Sequence, residues 1–312
     1  SLGGLLIDWL GWQAIFLLSL PLGVVAAALA HRHLPVDRRA PGAKRVEFDH
    51  RGTLLLALTL AAYALAMTLG RGQFGPQNLA LLAAAALGAV SFVVVESKAS
   101  APLIRPAMLR DRVLSASLAA NALVSTVLMS TLVVGPFYLA RALGLDAGAV
   151  GLVMSVGPIV AALAGVPAGR IVDRFGARRA TLVGLGGVAA GSILLSSAPG
   201  WLGLAGYLVP IVVVTVNYAL FQAANNTAAM RDVSPDQRGV VSGTLNLSRN
   251  LGLITGASVM GAVFAFASGA SDITAAAPAA VAAGMRVTFA VAAALVLVAL
   301  AIVAAGRARA NA

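Results

Sequence analysis

The chain has 312 residues, of which 60% are hydrophobic and 11% are charged. Soluble domains contain roughly 45–50% apolar and 25% charged residues, so this composition excludes an ordinary soluble fold and indicates a polytopic membrane protein. The net charge of +11 is spread over short loops between apolar runs, which is typical of topology signals and not of a nucleic-acid surface. The chain has no Cys, which excludes disulfides and the common zinc sites, and no cofactor or metal is predicted.

Apolar runs of about 20 residues recur along the chain, and each is long enough to cross a ~30 Å hydrocarbon core as a helix. The first ten residues are typical of the end of a span. Nine complete spans are predicted after them, at 14–30, 52–70, 79–95, 113–139, 149–168, 180–198, 202–224, 239–267 and 283–305. The sequence therefore predicts an all-α membrane helix bundle in which 31–51 is a basic, solvated linker and 96–112 is a second basic connection.

Positive charge is distributed unequally between the two sides of this bundle. Eighteen of the 22 Lys and Arg fall in loops on one side or in the C-terminal tail, whereas only Arg71 and Arg141 fall in loops on the other. Arg249 and Arg286 lie inside predicted spans. Because short loops rich in Lys and Arg stay in the cytoplasm, we expect a multi-pass protein of the cell (inner) membrane with a cytoplasmic C-terminus.

One charged connection has a specific pattern, Gly-Arg-Ile-Val-Asp-Arg-Phe-Gly-Ala-Arg-Arg over residues 169–179. We expect a tight hairpin loop at the membrane surface here, since glycine permits a left-handed turn. The spacing resembles the loop signature of the major facilitator superfamily of secondary transporters, where it joins the second and third spans of a six-helix half. The resemblance implies a conformational switch formed by Gly169, Asp173, Arg174, Gly176, Arg178 and Arg179. A simple basic turn between two membrane helices is the alternative.

The N-terminal residues carry a narrower resemblance. Gly3-Gly4-Leu5-Leu6, then Gly11-Trp12, then Pro21 two residues before Gly23, are similar to the fifth and sixth spans of the fourteen-span drug:proton antiporter branch of the superfamily. This implies a fragment that runs from the end of the fifth span to the C-terminus. The implied divisions are 1–30, the end of the fifth span and the sixth span; 31–51, a basic cytoplasmic linker; 52–112, an accessory two-helix hairpin and connector; and 113–312, the C-terminal six-helix half.

Polar side chains inside predicted spans are candidates for function, because an amide or a charge in hydrocarbon is costly without a partner or a watered cavity. Tyr218, Gln222 and Asn225 share one helix face. Arg249 lies about 15 Å into its span, and no predicted span contains an acid to pair with it. The predicted substrate pathway consists of Asn121, Asn217, Tyr218, Gln222, Asn225, Asn226, Asn246 and Arg249. Hydrogen bonding between helices is the alternative role of each amide.

These features predict a transmembrane transporter and not an enzyme, because the spans offer no nucleophile with a base and no metal cluster. The resemblance implies proton-coupled efflux of drug-like or other small amphiphilic molecules by alternating access. The expected partners are the lipid bilayer, a small-molecule substrate and protons. Protons are expected to bind through a carboxylate in the missing N-terminal half. No nucleic-acid partner is expected. The alternatives are a truncated fragment that does not transport and a transporter of another small solute in the same superfamily.

Overall fold

The computed structural model describes residues 13–33, 49–69, 75–99, 102–197, 199–269 and 276–308. These residues form nine α-helices. The helices are α1 (Gln13–His33), α2 (His50–Thr68), α3 (Pro76–Lys98), α4 (Arg112–Phe137), α5 (Ala147–Phe175), α6 (Ala177–Ser197), α7 (Pro199–Met230), α8 (Arg238–Ser268) and α9 (Pro278–Ala308). A π-helical turn follows α4 at Tyr138–Ala142, and 3₁₀ turns precede α4 and α8 at Pro106–Arg110 and Pro235–Gln237.

Eight of the described helices, α2 to α9, are long and apolar enough to cross a membrane. Each of the nine predicted spans coincides with one helix over the described residues, and that part of the chain contains no strand. The predicted fold class is therefore confirmed. Residues 1–12, which contain Gly3-Gly4 and Gly11-Trp12, and most of the 31–51 linker lie outside the described residues.

Aspartate side chains begin three of the helices. Asp49, Asp111 and Asp146 each accept a hydrogen bond from a backbone N–H two or three residues later, with N···O distances of 2.8, 2.7 and 2.8 Å. An N-cap carboxylate satisfies an N–H that the first turn leaves unpaired, and it also interacts favourably with the helix dipole. These acids therefore set where α2, α4 and α5 begin.

Helices α4 to α9 pack into one bundle. α6 packs against both α7 and α9, α4 packs against both α8 and α9, and α5 packs along α7. Large buried side chains fill the interior, among them Leu185, Tyr207, Phe221, Phe264 and Phe289. α9, which contacts α4, α6 and α8, therefore connects the two sides of the bundle.

Glycines allow pairs of helices in the bundle to approach closely. Gly252 and Gly256 of α8 lie against the backbone carbonyls of Ala122 and Thr126 in α4. Gly184 of α6 lies in the same way against the backbone of α7. A β-carbon at any of these glycines would overlap backbone atoms of the facing helix, so small residues are required at these crossings.

The α2–α3 hairpin lies beside α8. Asn78, near the start of α3, donates from Nδ2 to the carbonyl oxygens of Ala66 at 2.7 Å and Leu69 at 2.6 Å, and so satisfies the last carbonyls of α2. Further along α2, the hydroxyl of Tyr63 is hydrogen-bonded to the hydroxyl of Thr255 in α8. An amide thus closes the turn of the hairpin, and a pair of hydroxyls joins the hairpin to the bundle.

The charged connection at 169–179 is not the loop that the sequence predicts. α5 continues as a helix to Phe175 and α6 begins at Ala177, so that Gly176, with a φ of 83°, makes the turn by itself. The last turns of α5 are helical because they have a buried face, on which Val172 packs against α7. The expectation of a loop is therefore wrong, although the position of the turn is correct.

Candidate functional site

Six polar side chains lie on the faces of α4, α7 and α8 that hydrogen bonds and close contacts bring together, and we call them the polar junction. They are Asn121 and Ser125 of α4, Tyr218, Gln222 and Asn225 of α7, and Arg249 of α8. Asn121 Nδ2 donates to the carbonyl of Leu245 at 2.8 Å and connects α4 to α8. Asn225 Nδ2 donates to the carbonyl of Ser117 at 3.2 Å and connects α7 to α4. The three helices therefore meet at a point where each exposes polar groups to the others.

Every member of the polar junction has a buried polar atom with no hydrogen-bond partner in the described part of the chain. These atoms are Asn121 Oδ1, Ser125 Oγ, Tyr218 Oη, Gln222 Oε1, Asn225 Oδ1 and Arg249 Nε. A buried polar atom left unpaired costs about 1–3 kcal/mol, and such atoms are rare in native proteins. The junction therefore has both donors and acceptors available for a molecule, or for water, that lies between these helices.

Arg249 is the charged member of the polar junction. It lies roughly 16 Å along α8 from Arg238 at 1.5 Å per residue, and its side chain is half-buried. Its guanidinium lies beside the Tyr218 hydroxyl and acts on it electrostatically, although the two groups are not in hydrogen-bonding geometry. The helices α4, α7 and α8 contain no Asp or Glu, so the helices that form the junction supply no carboxylate to neutralise this charge.

Three residues of the predicted pathway lie away from the polar junction. Asn217 packs against Gly187 of α6 and donates from Nδ2 to the carbonyl of Val213 in its own helix at 2.9 Å. Asn226 and Asn246 are exposed. Membership of the substrate pathway stays a prediction for these residues, as it does for those of the polar junction.

The predicted switch residues surround the turn between α5 and α6. The charged ones are all exposed, namely Asp173, Arg174, Arg178 and Arg179. The guanidinium of Arg174 lies 5.6 Å from the ring centroid of Phe175. Gly169 has open space where a β-carbon would stand, so the backbone requires glycine only at Gly176. A switching role for this segment stays a prediction.

Sequence reasoning misses a pair of acids at the end of the α2–α3 hairpin that lies opposite the turn closed by Asn78. The sequence predicts that Glu96 begins a basic connection, whereas in the structure it belongs to the last turn of α3 and is only 2% exposed. It lies beside Asp49, the N-cap of α2. The two acids are far apart in the sequence and only the antiparallel pairing of α2 with α3 brings them together, so no local pattern signals the pair.

The chain was compared with families and proteins that are already known. The sequence model of one protein family, the Major Facilitator Superfamily, matches residues 1–257 of the chain. The match covers most of the chain and includes both the turn at 169–179 and the polar junction. The chain belongs to the major facilitator superfamily, and it is a multi-pass membrane protein of this transporter family.

Curated relatives of the chain include bacterial drug transporters. The multidrug transporter protein MdtP of Bacillus subtilis is 25% identical over 281 residues, which are 86% of this chain and 50% of that protein. The multidrug resistance protein Stp of Mycobacterium tuberculosis is 28% identical over 275 residues, which are 85% of this chain and 49% of that protein. The chain thus spans about half the length of these relatives.

A solved structure has a similar fold. The crystal structure of the nucleoside transporter NupG matches with a TM-score of 0.54 and 15% sequence identity, over 81% of this chain and 65% of that one. At this identity the likeness concerns the fold alone. It agrees with the arrangement of helices described above.

Proposed function

We propose that this chain is part of a proton-coupled exporter of drug-like or other small amphiphilic molecules that works by alternating access in the cell (inner) membrane. The names of MdtP and Stp support a drug-like substrate, since the chain matches each over more than four-fifths of its own length. The observation that carries the proposal is the polar junction. It places unpaired donors and acceptors and an arginine on three apolar helices, which is the chemistry that an amphiphilic substrate requires.

Arg249 is the residue of the polar junction with the strongest need for a partner. A charge at the centre of a membrane helix costs roughly 2.5–3.5 kcal/mol on insertion scales. The neighbouring Tyr218 and the amides offset part of this cost. We assign the rest to an anionic or hydrogen-bond-accepting group of the substrate, bound near the midplane as in other secondary transporters, or to a carboxylate from outside this chain.

Asn121 and Asn225 have two roles in this proposal. Their Nδ2 groups bond to backbone carbonyls of neighbouring helices and hold α4, α7 and α8 together. Their Oδ1 atoms remain unpaired and buried. Each amide therefore fixes the helices with one end and offers an acceptor to a ligand with the other.

The implied divisions of the chain belong to the same proposal. Helices α4 to α9 form the C-terminal six-helix half, with its C-terminus in the cytoplasm, and α2 and α3 form an accessory hairpin. An N-terminal half, as expected from relatives of about twice this length, closes the substrate pathway against the polar junction and supplies the carboxylate that carries the transported proton.

The turn between α5 and α6 acts as a switch in this proposal, because the exposed Asp173 suits the partially positive N-terminus of a helix outside this chain. Loss of such an interaction, about 0.3–1 kcal/mol, corresponds to a roughly two- to fivefold fall in turnover. Asp173→Asn should show this fall at normal protein levels. Asp236→Asn removes another exposed carboxylate and serves as the control, and equal transport by both variants would leave the turn a topology signal.

The direct test is transport by the protein with its upstream reading frame restored. Inside-out membrane vesicles are given an acidic interior and a fluorescent amphiphilic dye. We expect dye to accumulate and the accumulation to collapse when a protonophore removes the gradient. Dye accumulation that persists after the protonophore is added would contradict proton coupling. Folded protein that moves no dye and no other small solute would support the non-transporting alternative.

A further inference from the structure

Two carboxyl groups meet at the base of the α2–α3 hairpin. Asp49 precedes the first residue of α2, and Glu96 lies in the last turn of the antiparallel α3. A β-carbon on Gly52 would touch both Glu96 Oε1 and Asp49 Oδ2. The two oxygens therefore converge on one small space, which exists because residue 52 has no side chain.

Only one oxygen of each carboxyl group has a hydrogen-bond partner. Asp49 Oδ1 accepts from the backbone N–H of Gly52 at 2.8 Å, and Glu96 Oε2 accepts from the backbone N–H of Ile104 at 3.1 Å. The other two oxygens, Asp49 Oδ2 and Glu96 Oε1, are buried and have no partner among the described residues. The unpaired oxygens are the two that converge beside Gly52.

The elements that meet here also carry basic side chains. In the described part of the chain these basic side chains are all exposed, namely His50 and Arg51 of α2, Lys98 of α3, Arg105 of the connector and Arg110 of the 3₁₀ turn. Glu96, by contrast, is 2% exposed. Two ionised carboxylates whose facing oxygens are both buried repel each other, because little water lies between those oxygens to screen the charges.

A proton removes this repulsion and satisfies both unpaired oxygens, since a protonated carboxyl group donates one O–H and a carboxylate accepts it. Calcium and magnesium require more oxygen ligands than this pair offers, and the described residues contain no group of three or more acids, His or Cys that could hold a metal. We propose that Glu96 holds a proton at neutral pH and donates it in a hydrogen bond to Asp49, so that the base of the hairpin is a protonation site.

The shared proton would hold three segments of the chain together. Asp49 belongs to the start of α2, Glu96 to the end of α3, and Ile104 to the connector that leads to α4. Release of the proton at higher pH leaves two carboxylates in contact, which pushes Asp49 and Glu96 apart and strains the hydrogen bond to Ile104. The site is independent of the proposed transport activity, because the pair binds its proton whether or not the protein exports a substrate.

Infrared spectroscopy of the purified chain in lipid nanodiscs tests the proposal, because a protonated carboxyl group has its own C=O stretching band. We expect this band at pH 7 in the parent protein and its loss at strongly alkaline pH. Glu96→Gln should abolish the band. Asp49→Asn should also abolish it, since the remaining Glu96 then has no charged neighbour and accepts a hydrogen bond from the new amide. Asp236→Asn, an exposed acid, should leave the band unchanged.

Two results would overturn the proposal. Absence of the band from the parent protein at pH 7 would mean that both acids are ionised. Its persistence in Asp49→Asn would mean that burial alone keeps Glu96 protonated and that no proton is shared. A second readout is hydrogen exchange at the Ile104 amide. In the parent protein its protection factor should fall over the same rise in pH that removes the band. In Glu96→Gln the protection factor should stay constant with pH.

Discussion

The α4–α9 bundle and the α2–α3 hairpin consist of similarly apolar helices that are held in place in different ways. Half of the residues in an apolar stretch of α4 and of α6 are buried, compared with 11% for α2 and 6% for α5, which lies at the edge of the bundle. In the bundle, glycines bring backbones into contact and Asn121 bonds to a neighbouring helix far from either end. In the hairpin, Asn78 closes one end and Asp49 and Glu96 meet at the other. A helix with neighbours on several sides is fixed along its middle, whereas a peripheral pair is fixed at its ends.

The largest loss of stability should come from breaking a close contact between helices of the bundle. In Gly252→Leu the new side chain has no space, because a β-carbon already overlaps the Ala122 carbonyl of α4. We expect α8 and α4 to separate and the protein to lose its compact fold in detergent, measured by thermal unfolding and size-exclusion chromatography.

The matched control is Gly243→Leu in the same helix, where a β-carbon meets no atom within 4 Å. This variant should unfold at the temperature of the parent protein or slightly above it, since Leu favours the helix over Gly by nearly 1 kcal/mol. Equal loss of fold in both variants would show that α8 does not depend on close contact with α4.

A smaller effect is expected from removing one interhelical amide. Asn121→Ala loses the hydrogen bond to the Leu245 carbonyl and leaves that carbonyl buried, which should lower the free energy of unfolding by about 1 kcal/mol. Asn246→Ala removes an exposed amide of α8 and should change the free energy of unfolding by less than about 0.5 kcal/mol. Chemical unfolding of both variants measures the difference, and a larger loss in Asn246→Ala would contradict the account of the bundle.

The smallest loss of stability should come from removing the hydrogen bond that links the hairpin to the bundle. Tyr63→Phe removes the hydrogen bond to Thr255 and should cost about 0.6 kcal/mol, the average for such bonds in membranes. Thr255→Val removes the same bond from the other side, so the double variant should cost little more than either single one. Full additivity in this double-mutant cycle would mean that the two hydroxyls do not interact.

Much of the fold could be predicted because membrane helices require long apolar runs, and the runs in this sequence are separated by charged or glycine-containing turns. The boundary of α5 could not be predicted so well. Its last turns are rich in arginine and look like a loop, yet Val172 packs against α7 and keeps them helical. A tertiary contact of one buried side chain decides that boundary.

The candidate site was predictable to a similar degree. Helical periodicity places Tyr218, Gln222 and Asn225 on one face, but periodicity within one helix cannot say which residues of another helix that face meets. Asn226 lies beside that face and Asn246 shares a face of α8 with Arg249; both are exposed, and their place in the pathway stays a prediction. The pairing of Asp49 with Glu96 depends on the register of the hairpin, which a single sequence does not reveal.

The central claim is that Arg249 of the polar junction takes part in transport, by binding either the transported molecule or the carboxylate that carries the proton. Dye accumulation in the vesicle assay, by the protein with its upstream reading frame restored, tests this claim most directly. Arg249→Lys keeps the charge but loses the planar array of donors, and we predict that it lowers accumulation about tenfold or more, as expected for the loss of a charged hydrogen bond. Arg286→Lys, at an exposed arginine of α9, should transport like the parent protein. Parental accumulation by Arg249→Lys at every pH would contradict the claim.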